Sequence, residues 1–81
     1  MNRKPRVAIT VGDPSGIGPE VAARAAVDPR VLECCHPLIY APPAGERFVP
    51  GVLSAAAGRA AYDVIVRAVG DAQHGAVDAI A

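Results

Sequence analysis

The sequence predicts an α/β fold built on parallel strands. Three observations predict it. Short apolar runs alternate with helical stretches; the first run, "RVAITV" at 6–11, lacks the polar alternation of a half-exposed strand and suits one covered on both faces; and the longest helical stretch carries a packed stripe along one side. Strand, helix, strand alternation of this kind is the signature of parallel pairing. Such a sheet needs helices on both faces and several strands, so three strands with two or three helices are a minimum. The expectation is a single, partial α/β domain over residues 1–81.

The elements follow in order. After the first strand, Gly12, Gly16 and Gly18 mark a tight loop, and Pro19 suits a first helical position. Glu20 follows where the helix dipole favours an acid, and "EVAARAA" runs on until Asp28-Pro29 stops it. Asp28 and Pro29 also cap and open a second short helix, through about Cys35. "HPLIY" at 36–40 is a second strand. The stretch "APPAGERFVPG", with three prolines and two glycines in eleven residues, is a joint at 41–51 without regular structure.

Ser54 is placed to cap a helix over 55–73. Ala57, Ala61, Val64, Ile65, Ala68, Val69 and Ala72 form its packing stripe, with Gly58 at the edge for a close approach. Arg59, Asp63, Arg67 and Asp71 form a ladder of opposite charges at four-residue steps on its wet side. Gly75 ends the helix, and "AVDAIA" begins a third strand.

Composition narrows the function classes. Seventeen of the 42 hydrophobic residues are alanine and three are aromatic, so each buries little area and the core is expected to be thin. Eight basic and eight acidic residues balance; the only basic cluster, Arg3, Lys4 and Arg6, reads as a solvated chain end, so no nucleic-acid groove and no membrane partner are expected. "VAITV" is broken at once by Gly12-Asp13-Pro14, far short of a signal core or a span. A cytoplasmic protein is the expectation.

Cys34 and Cys35 are adjacent and have no third cysteine to pair with, so they read as small, buried, reduced side chains. Cys34-Cys35-His36 lacks metal-ligand spacing. His36 and His74 read as structural or exposed, Lys4 as part of a frayed start, and Tyr62 as a packed ring. No metal ligand and no catalytic acid, base or nucleophile is assigned.

Chemistry concentrates in "VAITVGDPSGIGPE" at 7–20. A glycine turn between strand and helix turns backbone amides outward beside the positive end of the helix dipole, a generic anion seat. The spacing G-x-x-x-G-x-G matches neither the dinucleotide fingerprint nor the P-loop. The alternative is a purely structural turn, with Asp13 and Ser15 satisfying backbone donors and the glycines at positive φ.

The string "ITVGDPSGIGPEVAARA", with "DPRVLECCHPLIY" and "PGVLSAAAGRAAYDVIVRAV", closely resembles the N-terminal part of the 4-hydroxythreonine-4-phosphate dehydrogenase family. These are NAD-dependent oxidoreductases of pyridoxal phosphate (pyridoxine) biosynthesis. The first string is also similar to the Gly-Asp-Gly-Ile-Gly-Pro-Glu start of isocitrate and isopropylmalate dehydrogenases. The resemblance therefore implies a partial parallel-sheet sandwich of the isocitrate/isopropylmalate dehydrogenase-like fold. It also implies NAD and a divalent metal as cofactors, a phosphorylated hydroxy acid as substrate, oxidation followed by loss of carbon dioxide, and a homodimer.

Gly12, Asp13, Ser15, Gly16, Ile17 and Gly18 are the residues the resemblance places on the cofactor side. Against the family pattern the chain is expected to be internally shortened near Ala41 and truncated before the metal-binding histidines, and so inactive alone. Three classes of function stand at this point: a piece of this dehydrogenase or of a sibling acting on four-carbon sugar-acid phosphates, a non-enzymatic anion or nucleotide-binding module, and a fragment that folds on a partner through the 55–73 helix.

Overall fold

The computed structural model of the chain describes residues 3–43, 45 and 47–81. Strand β1 (Arg6–Thr10) is followed by α1 (Gly18–Val27), α2 (Pro29–Cys34), β2 (His36–Tyr40), α3 (Ala55–Gln73) and β3 (Ala79–Ile80). The predicted α/β class with a parallel sheet is what forms: three strands in the order β2-β1-β3, both pairs parallel. Arg6 through Thr10 face His36 through Tyr40 residue for residue, and Val7 and Ala8 face Ala79 and Ile80.

Because β1 lies between its two successors, the two crossovers run in opposite directions across the sheet. Right-handed connections then place α1 and α2 on one face and α3 on the other. α1 and α2 contact each other and β2, while α3 contacts β1 and β3.

Local signals explain the boundaries. The first strand stops at Thr10, not Val11, although Val11 is buried and its N–H still reaches the Tyr40 carbonyl at 3.2 Å. The Asp28 side chain accepts from the Arg30 amide, capping α2, which ends one residue before Cys35. Ser54 Oγ accepts from the Ala57 N–H at 3.0 Å. At the far end of α3, Gly75 takes φ +79°; its N–H bonds the Ala72 carbonyl and the Ala76 N–H bonds the Asp71 carbonyl. These two bonds are the Schellman pair that closes a helix on a left-handed residue.

The core is as thin as the alanine content predicts. Its buried apolar residues are Ala8, Val11, Ala22, Ala57, Ala60, Val64, Ala68 and Val77, and no large side chain among the described residues is fully enclosed. Ala8, Ala68 and Val77 join strand, helix and final turn, with Tyr40 and Ala72 against them. Arg6 locks the same end: its amide and guanidinium donate to the Asp78 carboxylate, and its Nη2 donates to the Gly75 carbonyl at 2.8 Å.

Several expectations are corrected. The buried face of α3 includes Ala60, while Ile65 and Val69 of the predicted stripe remain exposed, because the small sheet covers only part of the helix's apolar arc. Gly58 has no neighbour where a Cβ would stand, so no close approach occurs there. Tyr62 is exposed, and so is Cys34 at the end of α2, with Cys35 half-buried.

The charge ladder is split. Arg59 pairs with Asp63 at 3.1 Å, but Arg67 lies 5.0 Å over the Tyr40 ring and donates to the Ala41 carbonyl, and Tyr40 donates its hydroxyl proton to Asp71 at 2.5 Å. Lys4 is not frayed: its Nζ reaches the Leu32 carbonyl at 2.8 Å. The joint forms no helix or strand among its described residues; its positions 44 and 46 lie outside them. Among the described residues no helix is long and apolar enough to cross a membrane.

Candidate functional site

The loop from Gly12 to Gly18 leaves the carboxyl end of the central strand and enters α1. In open parallel sheets ligands bind outside the carboxyl ends of the strands, where the strand order reverses, and β1 is the strand from which this sheet runs both ways.

The loop is shaped residue by residue. Gly12 takes φ +71°, which a side chain would strain. Asp13 Oδ1 accepts from the Ser15 amide at 2.8 Å and from the Ser15 hydroxyl at 2.6 Å, and the Gly16 N–H closes the turn on the Asp13 carbonyl at 3.0 Å. The Ser15 hydroxyl first, and then its amide, hold the Asp13 carboxyl below the ordinary carboxylate value. Buried Ser15 gives its carbonyl to the Gly51 N–H at 2.7 Å, tying the glycine loop to the Pro/Gly joint.

Gly16 and Gly18 do not adopt positive φ, contrary to expectation. Gly18 is required for a different reason. A Cβ on it would stand 1.8 Å from the Val11 carbonyl oxygen, because the first turn of α1 rests directly on the end of the strand.

Ile17 is the N-cap, with no side-chain hydrogen bond at that end and an exposed side chain. Pro19 has no N–H to satisfy, and the Val21 amide is the first to bond back, to the Ile17 carbonyl. Among the described residues no acceptor meets the N–H of Ile17, Gly18 or Glu20. Three backbone donors therefore stand open beside the positive end of the α1 dipole, an arrangement suited to an anionic oxygen.

A cleft of about 650 Å³ opens beside this loop, lined by Val11, Pro14 and Pro19 on one side and by joint residues, including Pro42, Phe48 and Pro50, on the other. Arg47 is its one charged side chain among the described residues. Arg47 escaped sequence reasoning because nothing in its local pattern ties it to a loop some thirty positions earlier; the fold brings the two segments together, with the Gly51 N–H donating to the Ser15 carbonyl.

The structure thus brings Gly12, Asp13, Ser15, Gly16, Ile17 and Gly18 into one compact turn at the edge of a cleft. His36 and His74 are apart from it, both exposed; the His74 ring lies against the Gly70 carbonyl at 2.7 Å. Among the described residues no three His, Cys, Asp or Glu side chains cluster in a way that would hold a metal ion. The donor set here does not fit the divalent metal that the family resemblance implies.

No family profile matches the chain, and no solved structure matches it. Curated proteins do. A 4-hydroxythreonine-4-phosphate dehydrogenase of Geobacter metallireducens is 50% identical over 38 residues, 47% of this chain and 11% of that protein. One of Desulfosudis oleivorans is 41% identical over 66 residues, 82% of this chain and 18% of the relative. A Symbiobacterium thermophilum protein with the provisional name D-threonate 4-phosphate dehydrogenase is 46% identical over 39 residues, 48% of this chain and 12% of its own length.

The matched stretches span between about a tenth and a fifth of these relatives. A 66-residue span in an 81-residue chain necessarily includes residues 16–66, and with them the Gly16–Gly18 turn and most of α3. Over these partial stretches the chain is similar to the 4-hydroxythreonine-4-phosphate dehydrogenases, the family its glycine loop and following helices resemble.

Proposed function

We propose that this chain contributes the cofactor-side loop of a 4-hydroxythreonine-4-phosphate dehydrogenase-like oxidoreductase. In this role the open amides of Ile17, Gly18 and Glu20 receive an anionic group such as the diphosphate of NAD. The observation that carries the proposal is this set of unbonded donors at the carboxyl edge of β1, in a chain matched by relatives of that name.

NAD, when bound, supplies the hydride acceptor. The residues of this loop hold and orient it: Gly12 supplies the positive φ of the turn, Gly18 lets the start of α1 rest on the strand end, and Ser15 ties the loop to the joint. No residue is assigned to proton transfer or to metal binding, so the chain alone is proposed not to turn over. The isocitrate/isopropylmalate dehydrogenase-like sandwich is part of the same proposal, supported by the parallel sheet with helices on it.

Asp13 is the one feature opposing an anion. Its carboxylate is ionised at neutral pH and lies in the same turn, though both its short contacts are to Ser15. Titrating inorganic phosphate and, separately, NAD into isotope-labelled protein should shift the amides of residues 12–18 and 20, and Asp13→Asn should tighten the response. An unmoved loop at millimolar ligand removes the anion seat. Rapid NADH formation by the pure chain with NAD, a divalent cation and phosphorylated substrate would overturn its inactivity alone.

The Symbiobacterium relative favours a second substrate class, a four-carbon sugar-acid phosphate. A purely anion-binding module remains the outcome if phosphate shifts the loop as strongly as NAD does.

A further inference from the structure

Helix α3 turns two adjacent rows toward the joint, each at the four-residue spacing that stacks side chains along a helix. One row is apolar, Ala56, Ala60 and Val64; the other, three residues on from each, is charged, Arg59, Asp63 and Arg67. Pro42 and Pro43 stand across from both rows, and the space between is a cleft of about 480 Å³. That volume falls within the roughly 300–1,000 Å³ of small-ligand sites. The two prolines, whose φ is fixed by their rings, give it a stiff wall. They also line the cleft beside the glycine loop, so one dipeptide serves two separate spaces.

The charges in this cleft are unequal. Arg59 gives its Nε–H to Asp63 Oδ1 at 3.1 Å, so those two lining charges cancel. Arg67 has no such partner in the lining. Its Nη2 donates to the Ala41 carbonyl at 3.0 Å and its guanidinium lies 5.0 Å over the Tyr40 ring, which fixes the group in place before any ligand arrives. Asp71, the next acid along the helix, takes the Tyr40 hydroxyl and does not line the cleft. Among the described residues, no acceptor meets Nε or Nη1 of Arg67. A guanidinium edge of this kind matches a carboxylate oxygen for oxygen.

We propose that this cleft binds a small carboxylic acid with an apolar body, its carboxylate on Arg67 and its body between Val64, Ala60 and Ala56 on the helix and the two prolines opposite. One uncompensated positive charge calls for one negative charge. A dianion would set its second charge against Asp63, and a cation would meet Arg67 with nothing to offset the repulsion. The apolar row excludes a purely polar anion as the best occupant, since it offers area that only a hydrocarbon body uses.

Benzoate is the probe. Titrated into the isotope-labelled full chain, it should move the amides of residues 56–67 and the Arg67 Nε–H along a saturating curve, with a dissociation constant on the order of 1 mM for so small a ligand. Acetate, which keeps the charge and lacks the ring, and benzylamine, which keeps the ring and reverses the charge, should each bind at least about tenfold more weakly. Arg67→Gln should weaken benzoate about tenfold, the loss of one charge-assisted contact. Asp63→Asn removes the opposing carboxylate from an exposed position and should tighten it about threefold. Arg24→Gln, which makes the same change in net charge on α1, should leave it unchanged.

Benzylamine binding as tightly as benzoate overturns the proposal, as does equal binding of benzoate by Arg67→Gln and the unaltered chain. So do amides of 56–67 that stay still at tens of millimolar benzoate, and shifts confined to residues 12–20, which would place the acid at the glycine loop instead. Should Arg67→Gln unfold with the loss of its Tyr40 contact, Asp63→Asn decides, and unchanged or weaker binding there overturns the proposal. The phosphate and NAD titrations read residues 12–18 and 20, so failure of the anion seat and failure of this cleft are told apart.

Discussion

Replacing Gly18 with alanine is the sharpest perturbation the structure offers. The added Cβ would stand 1.8 Å from the Val11 carbonyl oxygen and 2.9 Å from its carbon, both backbone atoms that cannot swing aside. Since even a close C···O contact is about 3.3 Å, the start of α1 must retreat by roughly 1.5 Å or the strand end must bend. Forced overpacking of this kind costs about 3 kcal/mol or more, and the gain from alanine's helix propensity, about 1 kcal/mol at most, does not offset it.

A chain of 81 residues has only roughly 4–12 kcal/mol of net stability to lose. With a urea slope of about 1 kcal/mol per molar, the midpoint should fall by at least roughly 2 M. Gly12→Ala, with open space around it but φ +71°, should cost about 1–2 kcal/mol. Gly16→Ala, whose Cβ would meet the Asp13 carbonyl oxygen at 3.4 Å, should stay within about 0.5 kcal/mol. Urea titrations of the three variants test the order. Equal midpoints for Gly18→Ala and Gly16→Ala would refute the close strand–helix approach.

Three further outcomes are expected. Ser54→Ala removes the acceptor for the Ala57 N–H and should cost about 1 kcal/mol in urea unfolding, with fraying at the start of α3 visible by hydrogen exchange. Asp13, Asp28 and Asp78 are held below the ordinary carboxylate value, chiefly by hydrogen bonds from Ser15, Arg30 and Arg6 respectively. Their contribution is full above that value and lost as pH falls through the lowered ones, so stability should decline in acid, and Asp78→Asn should flatten the profile. The Tyr40 phenol is raised, mainly by its hydrogen bond to Asp71. Its contribution is therefore present below the ordinary phenol value of 10.0 and lost as pH rises through the raised one, an alkaline loss that Tyr40→Phe should abolish in thermal melts taken across that range.

Sequence alone determined the parts of this protein governed by neighbours in the chain. β-branched apolar residues, Asp28 and Ser54 as caps, Gly75 as a left-handed stop and prolines at helix starts act within a few residues of themselves. The second strand at 36–40 and the third helix at 55–73 accordingly form where local chemistry places them. The glycine loop between strand and helix was legible for the same reason.

Tertiary structure decided what depends on distant partners. Periodicity marked α3 as apolar but not which part of its arc the sheet covers, so Ala60 is buried while Ile65 and Val69 are exposed. Gly18 serves close packing instead of positive φ because the end of β1 lies beneath it. Arg67 and Asp71 leave the charge ladder because Tyr40, thirty-one positions from Asp71, arrives beside them. Local preferences act over a few bonds and are written in order along the chain, whereas packing is set by which surfaces meet when the chain closes on itself.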